Sequence, residues 1–528
     1  MCCAIVLRTV SDPSRNFSMD DSDRGAIPLL VADDNSFAQP AEETPKDAGN
    51  VAYMIFFLMG AGTLLPWNVF INASAYFGVR FRGTAFAITF ESWFGIAFNC
   101  TNILGLWLMT RHQDAVPPRM RVMLPFFLNG LVFLATTALV CTSPQSIAGD
   151  PLFVITILCC LASGACTALL QGGIFGLAAQ FPGMYTQAVM GGQGLAGVAV
   201  SVASIATTAG TPKPPTCDGG TALTCIGTTA ATEGCVWDFT ALTCSYEETY
   251  AHVKWSNFAY FLIASLFVLV CIWGYRTLER LPFALHYAPE TLTPRTSRYR
   301  AAREEMLHDE LKRNSFAMDG KAGPEGANAA SLEQAGDHEP KSASAEDTAF
   351  VRAKIQHLAL GVFNVFLVSL ALFPAITANI TATSSSSSRF FGDLFVPFSF
   401  LNFNLFDFVG RTLAGVNHTA LSERGLVIAS FSRWVFLPLF MLCHVDKSSI
   451  PTAFKSDFFP IVFMVLFACS NGYLSSCMMM RGPGLVPKEF QELAGTTMVF
   501  ALSCGLGAGS IMSFAVHAFI CQCNPFAG

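Results

Sequence analysis

The chain is dominated by apolar segments long enough to cross a membrane, whose hydrocarbon core of roughly 30 Å takes about 20 residues of α-helix. Hydrophobic residues make up 52% of the 528 residues and charged residues only 13%, whereas soluble domains carry about 25% charged residues. Six segments precede a long polar stretch and five follow it, near 52–77, 84–110, 119–142, 151–180, 186–208, 255–278, 355–380, 390–416, 421–443, 456–480 and 490–521. The sequence therefore predicts an all-α polytopic membrane protein with eleven transmembrane helices.

Polar stretches divide the chain into a tail, two helical bundles and a linker. Residues 1–50 are polar and acidic and lack a signal-peptide pattern, which predicts a disordered cytoplasmic tail. The first bundle, 51–278, contains a cysteine-rich loop at 209–254. Residues 279–354 are first basic and then rich in Gly, Ala, Glu and Ser without apolar periodicity, which is typical of a flexible linker. The second bundle occupies 355–528.

Basic residues predict the orientation of the chain, because short cytoplasmic loops carry an excess of Lys and Arg. Arg111, Arg119 and Arg121 flank the connection between the second and third spans, and Arg481 and Lys488 flank the connection between the tenth and eleventh. If the N-terminus is cytoplasmic, both connections lie on the cytoplasmic face of the membrane. Eleven spans then place the C-terminus outside the cell, and the 279–354 linker in the cytoplasm.

The cysteine-rich loop at 209–254, which this orientation places outside the cell, contains four cysteines. They can form two disulfides in three possible pairings. They are Cys217, Cys225, Cys235 and Cys244. Metal binding is the alternative, but the spacings contain no C-x-x-C pair, so we expect no metal. Asn379 begins an Asn-Ile-Thr sequon in another predicted extracellular loop and is a glycosylation candidate.

The eighth span contains a carboxylate and a guanidinium, Asp407 and Arg411, four residues apart and therefore on one face of a helix. Asn404 lies one turn earlier on the same side. Charges within the membrane are costly and normally face a bundle interior or an aqueous cavity, where they serve a ligand or a pathway. A substrate site and a structural ion pair between helices both remain open.

The first span contains a second polar feature, Pro66-Trp67-Asn68, in which proline interrupts the helical hydrogen bonds. Trp67 offers a flat face for a planar base, and Asn68 offers a donor and an acceptor. An interfacial anchoring tryptophan beside a packing kink is the alternative. We also expect Arg433 to join an internal polar network near the cytoplasmic half, and Asn471 to form hydrogen bonds between packed helices.

Five motifs together resemble the equilibrative nucleoside transporter family of solute carriers, in order and in helix placement. They are Gly-Thr-Leu-Leu-Pro-Trp-Asn at 62–68, Leu-Gln-Gly-Gly-Ile-Phe-Gly-Leu-Ala at 170–178, Gly-Gln-Gly-Leu-Ala-Gly at 192–197, Phe-Asp-Phe-Val-Gly-Arg at 406–411 and Ser-Asn-Gly-Tyr-Leu at 470–474. The resemblance implies a fold related to the major facilitator architecture, with six helices in the first bundle and five in the second. It also implies transport of nucleosides, and possible transport of nucleobases, down their gradient by alternating access, without a cofactor.

The resemblance further implies roles for individual residues. Gln171 would bind the nucleobase, and Asp407 and Arg411 the ribose hydroxyls, with Trp67 and Leu64 around the base. Ile71 and Pro374 would form an outer gate, and Phe94 and Leu506 would line the cavity. A plasma-membrane location is expected.

Two alternatives remain open beside the nucleoside carrier. Glu91, near the middle of the predicted second span, is a potentially ionisable group that would make transport proton-coupled if it were buried. A receptor using the cysteine-rich loop is the other. An enzyme is not expected, because no span carries a Ser/His pair or an H-E-x-x-H helix, and the net charge of −6 gives no support for nucleic-acid binding.

Overall fold

The computed structural model describes residues 45–81, 84, 86, 90–112, 116–142, 147–210, 239–292, 345–373, 376–380, 394–445 and 448–521. These residues are almost entirely helical. The one β pairing within them is an isolated bridge between Ile380 and Val445. Cys217, Cys225, Cys235 and Pro374 lie outside the described residues, so the disulfides and half of the predicted outer gate stay predictions.

Helices follow one another along both halves of the chain. The first half contains α1 Val51–Asn72, α2 Ser74–Arg80, α3 Phe90–Arg111, α4 Pro118–Cys141, α5 Gly149–Ala179, α6 Gly183–Gly210, α7 Phe239–Leu278, α8 Pro282–Tyr287 and α9 Pro289–Leu292. The second half contains α10 Ala345–Leu372, α11 Phe395–Asn417, α12 Glu423–Ser432, α13 Phe436–Met441, α14 Phe458–Arg481 and α15 Gln491–Cys521. A short 3₁₀ turn, Arg433–Val435, joins α12 to α13.

In the described part of the chain, nine helical segments are long and apolar enough to cross a membrane. They coincide with α1, α4, α5, α6, α7, α10, the α12–α13 unit, α14 and α15, so the chain is a multi-pass membrane protein. The other two predicted spans correspond to α3 and α11, which have 22 and 23 residues. At a rise of about 1.5 Å per residue each is roughly 33 Å long. Both helices are more polar than the nine.

Alternate helix ends meet at two opposite ends of the molecule. At the Glu492 end, Arg121 at the start of α4 pairs with Glu492 at the start of α15, with 2.5 Å between Nη1 and Oε1. At the Arg80 end, Arg80 donates hydrogen bonds to the carbonyls of Thr142 and Ile147 in the α4–α5 connection. The helices therefore run from end to end, and the Glu492 end corresponds to the face predicted to be cytoplasmic.

Glycines allow several helix pairs to pack backbone against backbone. A side chain at Gly472 of α14 would overlap the carbonyl oxygen of Asp407 in α11, and one at Gly410 of α11 would overlap that of Cys469 in α14. The same holds for Gly192 of α6 against α1. Small residues at such positions allow helices in a membrane to cross closely. The α11–α14 contact brings Asp407 against α14.

The predicted tail and cysteine-rich loop are both shorter than expected. Residues 45–50 belong to the fold, because the Asp47 carboxylate accepts hydrogen bonds from the backbone N–H groups of Ala52 and Tyr53 at 3.0 and 3.1 Å. This carboxylate satisfies donors that the first turn of α1 leaves free. Helix α7 begins at Phe239, so Cys244 lies in a helix and not in a loop.

The predicted linker is also shorter at both ends. Phe283 and Leu292 of α8 and α9 are buried, which folds the segment up to residue 292 onto the bundle. The apolar residues that begin this stretch had been assigned to the linker. At the other end α10 starts at Ala345, before the predicted bundle boundary at 355. Asn379 lies in a short 3₁₀ turn, and its glycosylation stays a prediction.

Candidate functional site

An ion pair buried in α11 forms the centre of the candidate site. Arg411 Nε lies 2.7 Å from Asp407 Oδ2, as the four-residue spacing predicts. Only 4% of Asp407 and 6% of Arg411 is exposed. The ion pair expected from the spacing is confirmed. Because both groups are buried, removing either one would leave the other as an uncompensated charge.

Asn471 of α14 binds the second oxygen of the same carboxylate. Its Nδ2 donates to Asp407 Oδ1 at 2.7 Å. Helix α14 comes this close because Gly410 and Gly472 let the two backbones touch. Asn471 was expected to form hydrogen bonds between helices, but its contact with Asp407 was not anticipated from the sequence.

Arg411 also joins the second half of the chain to the first. Its Nη1 donates to the carbonyl oxygen of Met190 at 3.0 Å and reaches Gln193 Oε1 at 3.5 Å, both on α6. Gln193 in turn donates to Thr63 Oγ1 of α1 at 2.9 Å. No role for Met190 or Gln193 was predicted from the sequence. An amide between two glycines in an apolar span was the signal available for Gln193.

The ion pair retains capacity for a ligand. A carboxylate offers about four lone-pair sites, and two of those on Asp407 are taken by Arg411 and Asn471. Arg411 Nη2 makes no hydrogen bond with any described residue. An acceptor and a donor therefore remain, and together they can bind a ligand with neighbouring hydroxyl groups.

Asn404 lies one turn before Asp407 on α11 and contacts α6. Its Nδ2 donates to Ser201 Oγ at 2.8 Å, and the side chain is half-buried. The predicted placement of Asn404 on the same side of the helix as Asp407 agrees with this contact, since Arg411 also faces α6. Its contact with a substrate stays a prediction.

Gln171 of α5 has a buried acceptor with no protein partner. The side chain is 7% exposed, and Oε1 accepts no hydrogen bond from the described residues. An unsatisfied buried carbonyl costs about 1–3 kcal/mol, so this oxygen favours a ligand or water as its partner. Within the described residues, no hydrogen bond links Gln171 to Asp407 or Arg411.

Residues Leu64, Trp67 and Asn68 lie on α1, which continues as a helix through Pro66. The proline removes one backbone donor, as predicted, but it does not end the helix, which continues from Val51 to Asn72. All three side chains are half-buried. The Trp67 ring packs against Phe98 of α3, with centroids 5.3 Å apart and the planes tilted by 45°.

Two predicted cavity-lining residues contribute to packing. Phe94 is 1% exposed and sits in an aromatic cluster, 5.2 Å from Phe77 and 5.6 Å from Phe90 between ring centroids. Its predicted place in the cavity wall is therefore not observed, because the neighbouring phenylalanines enclose it. Leu506 of α15 is half-buried and packs against the main apolar core.

Glu91 lies in the first described turn of α3, and its side chain is exposed. The proton-coupling hypothesis assumed a carboxylate enclosed by the protein, and the neighbouring described residues do not enclose this one. Ile71 lies in the last turn of α1, and its predicted role in a gate stays a prediction.

Comparison with known proteins identifies close relatives by sequence. A family model described as "Nucleoside transporter" matches residues 155–219 and 221–518. Equilibrative nucleoside transporter 1 of Rattus norvegicus is 30% identical over 513 residues, covering 90% of this chain and 99% of the relative. Equilibrative nucleoside transporter 2 of Homo sapiens is 29% identical over 497 residues, with 90% and 99% covered. Equilibrative nucleotide transporter 1 of Arabidopsis thaliana is 25% identical, with 96% and 94% covered.

The fold also matches a solved transporter structure. A proton:xylose symporter of the major facilitator superfamily, bound to 6-bromo-6-deoxy-D-glucose, superposes with a TM-score of 0.51 over 88% of both chains at 11% identity. That likeness concerns the helical fold alone. The sequence matches extend over most of the chain and confirm the predicted family. The chain belongs to the nucleoside transporter family.

Proposed function

We propose that the chain carries nucleosides across a membrane down their gradient by alternating access. The observation that carries the proposal is the buried Asp407–Arg411 pair, which lies between the two halves and keeps free hydrogen-bonding capacity. In this proposal α3 and α11 complete a set of eleven spans in a 6+5 arrangement, with the N-terminus in the cytoplasm. The names of the relatives support the substrate class.

Asp407 and Arg411 would recognise the ribose. A vicinal diol donates two hydrogen bonds, and an ionised carboxylate held by a guanidinium and an amide presents acceptors in a fixed plane. Arg411 Nη2 would donate to a ribose oxygen. Asn404, one turn away on α11, would contact the same part of the substrate. These groups account for specificity towards nucleosides over apolar solutes.

Gln171 would recognise the base. Its free Oε1 can accept from an exocyclic amine or a ring N–H, so the same residue suits purines and pyrimidines. Trp67, Leu64, Asn68 and Leu506 would surround the base. Ile71 and Pro374 would form the outer gate.

In this proposal, contacts between the two halves keep the Glu492 end closed. At the Glu492 end, α4 and α15 are joined by Arg121 and Glu492. Gln187 of α6 donates to the carbonyl oxygen of Arg411 at 3.2 Å, and Tyr53 of α1 donates to Gln187 at 2.9 Å. We propose that these bonds break when the bundles rock and the Glu492 end opens.

The test is initial uptake of radiolabelled adenosine and uridine in transport-deficient cells that express the wild type or Asp407→Ala, at pH 6 and pH 8. Surface biotinylation measures how much of each protein reaches the plasma membrane. Saturable uptake at both pH values, lost in the variant, is the expected result. Hypoxanthine uptake in the same cells measures nucleobase transport.

Normal uptake by surface-expressed Asp407→Ala would overturn the assignment of the site. Uptake driven strongly by acid pH would replace the equilibrative mechanism with proton coupling. Uptake of neither nucleoside by the wild type at the surface would overturn the proposed function itself.

A further inference from the structure

Arg433 is a fully enclosed guanidinium in the 3₁₀ turn between α12 and α13, with 1% of the residue exposed. Its Nη1 donates to the carbonyl oxygen of Val365 at 2.6 Å, and its Nη2 donates to Ser369 Oγ at 3.0 Å. Its Cζ lies 4.6 Å from the centroid of the Phe467 ring. Among the described residues, no carboxylate lies within ion-pair distance of this guanidinium.

The polar network around Arg433 was expected near the cytoplasmic half, but it lies closer to the Arg80 end. Ser369 lies in the last turn of α10, which ends at Leu372. The sequence could not reveal this position, because Arg433 finds its partners on α10 and α14. The network is otherwise the internal polar network that an enclosed arginine requires.

Three hydrogen bonds connect Arg433 to the candidate substrate site. Arg433 donates to Ser369 Oγ at 3.0 Å, Ser369 Oγ donates to Asn471 Oδ1 at 2.6 Å, and Asn471 Nδ2 donates to Asp407 Oδ1 at 2.7 Å. Ser369 is 1% exposed and Asn471 is 2% exposed. The series crosses four helical elements without reaching the surface.

The two end groups of this series of hydrogen bonds determine which group donates at each step. A guanidinium can only donate, and an ionised carboxylate can only accept. Ser369 therefore accepts from Arg433 and has one proton to give, and Asn471 must turn its NH₂ group towards Asp407. The carbonyl oxygen of Val365 also lies within reach of the Ser369 hydroxyl, at 2.7 Å, but Asn471 Oδ1 has no other donor among the described residues and needs this proton.

We propose that Arg433 is a positioning residue for substrate recognition, acting through Ser369 and Asn471 on the orientation of the Asp407 carboxylate. This inference rests on the proposed function, in which Asp407 binds the ribose hydroxyls. Arg411 holds Oδ2 and the series from Arg433 holds Oδ1. Two anchors from different directions fix the plane of the carboxylate, whereas one anchor allows it to rotate about the Cβ–Cγ bond. The remaining lone pairs then point in a constant direction.

A pair of substrates separates this role from a purely structural one. Uridine has the 2′- and 3′-hydroxyls that Asp407 would bind, and 2′,3′-dideoxyuridine lacks both. A loss of fold or of surface expression lowers the maximal rate for both compounds. Misdirection of the carboxylate raises the KM for uridine alone, so the ratio of the two KM values is the informative measurement.

The variant that tests the series is Ser369→Ala, which interrupts it without touching Arg433, Asn471 or Asp407. Because a hydrogen bond to a charged group changes binding by roughly tenfold or more, we expect the KM for uridine to rise about tenfold. The KM for dideoxyuridine should stay unchanged. Ser369→Thr keeps a hydroxyl at this position and should restore the wild-type ratio.

Ser475→Ala is the matched control. Ser475 is another buried serine, on α14 one turn after Asn471, and its Oγ donates to the carbonyl oxygen of Asn471 within its own helix. It is outside the series, so the KM ratio of this variant should equal that of the wild type. Surface biotinylation of all variants corrects the maximal rates for expression.

The outcomes separate this inference from the proposed function. If the wild type transports uridine and prefers it to dideoxyuridine, and Ser369→Ala reduces that preference, the inference is supported. If Ser369→Ala leaves the preference at the wild-type value, or lowers only the maximal rates, the positioning role is overturned while nucleoside transport stands. If the wild type transports neither compound, the proposed function fails first.

Discussion

Replacing Asp407 with alanine removes one partner of a buried ion pair and should destabilise the protein as well as stop transport. Arg411 would remain enclosed with 6% exposure and without its carboxylate, which costs about 3–5 kcal/mol. The Asn471 amide would lose its acceptor, which adds about 1–3 kcal/mol. The combined cost is about 4–8 kcal/mol, and the variant should melt well below the wild type in the same detergent.

A double variant separates this loss of stability from the loss of function. Asp407→Leu combined with Arg411→Met removes both charges and replaces them with apolar groups, a change that is often neutral for a buried pair. The Asn471 amide stays unpaired, which retains about 1–3 kcal/mol of the cost, and the Met190 carbonyl and Gln193 Oε1 lose Arg411 Nη1 as a donor. The double variant should therefore melt above Asp407→Ala and still fail to transport uridine.

The assay is thermal unfolding of purified protein together with uridine uptake in cells expressing equal surface amounts. A double variant no more stable than Asp407→Ala would show that the pair does not carry the electrostatic cost assigned to it. A double variant that transports uridine at the wild-type KM would show that the pair does not recognise the substrate.

Three further predictions concern the surroundings of the site. Gly472→Ala should lower the melting temperature and the uptake rate, because its new methyl group would overlap α11, at a cost in stability of about 1–3 kcal/mol. The control is Gly484→Ala, whose methyl group meets no atom within 4 Å and should change neither quantity. Equal effects of the two variants would contradict the packing argument. Gln171→Leu should raise the KM for adenosine and uridine roughly tenfold through loss of a hydrogen bond, and unchanged KM values in uptake assays would remove Gln171 from the site. Arg121→Glu and Glu492→Arg should each slow uptake, and the double reversal should restore part of it; a double variant as slow as the worse single one would show that the two charges do not act as a pair.

The sequence was informative where an interaction is local. Asp407 and Arg411 are four residues apart, so a helical prediction alone brings them together. The apolar length of the spans likewise predicted the order of the helices. Asn471 and Asp407 are 64 residues apart in the sequence. Their contact depends on the register of α14 against α11, which the glycine positions restrict but do not determine.

The errors have a common physical origin, because residue type does not indicate which face of a helix meets a cavity. Phe94 has the size and apolarity of a cavity-lining residue, but the surrounding phenylalanines enclose it. The hypothesis for Glu91 assumed burial because the residue falls within an apolar segment, whereas its side chain is exposed.

The most direct test of nucleoside transport by this chain is uridine flux in proteoliposomes containing only the purified protein, without ATP or an imposed ion gradient. A facilitative carrier gives saturable entry of labelled uridine that stops when the inside and outside concentrations are equal, and faster entry when unlabelled uridine is preloaded inside. Reconstituted Asp407→Ala should show neither. No flux above protein-free liposomes, or accumulation above the outside concentration only when a proton gradient is imposed, would contradict facilitative nucleoside transport.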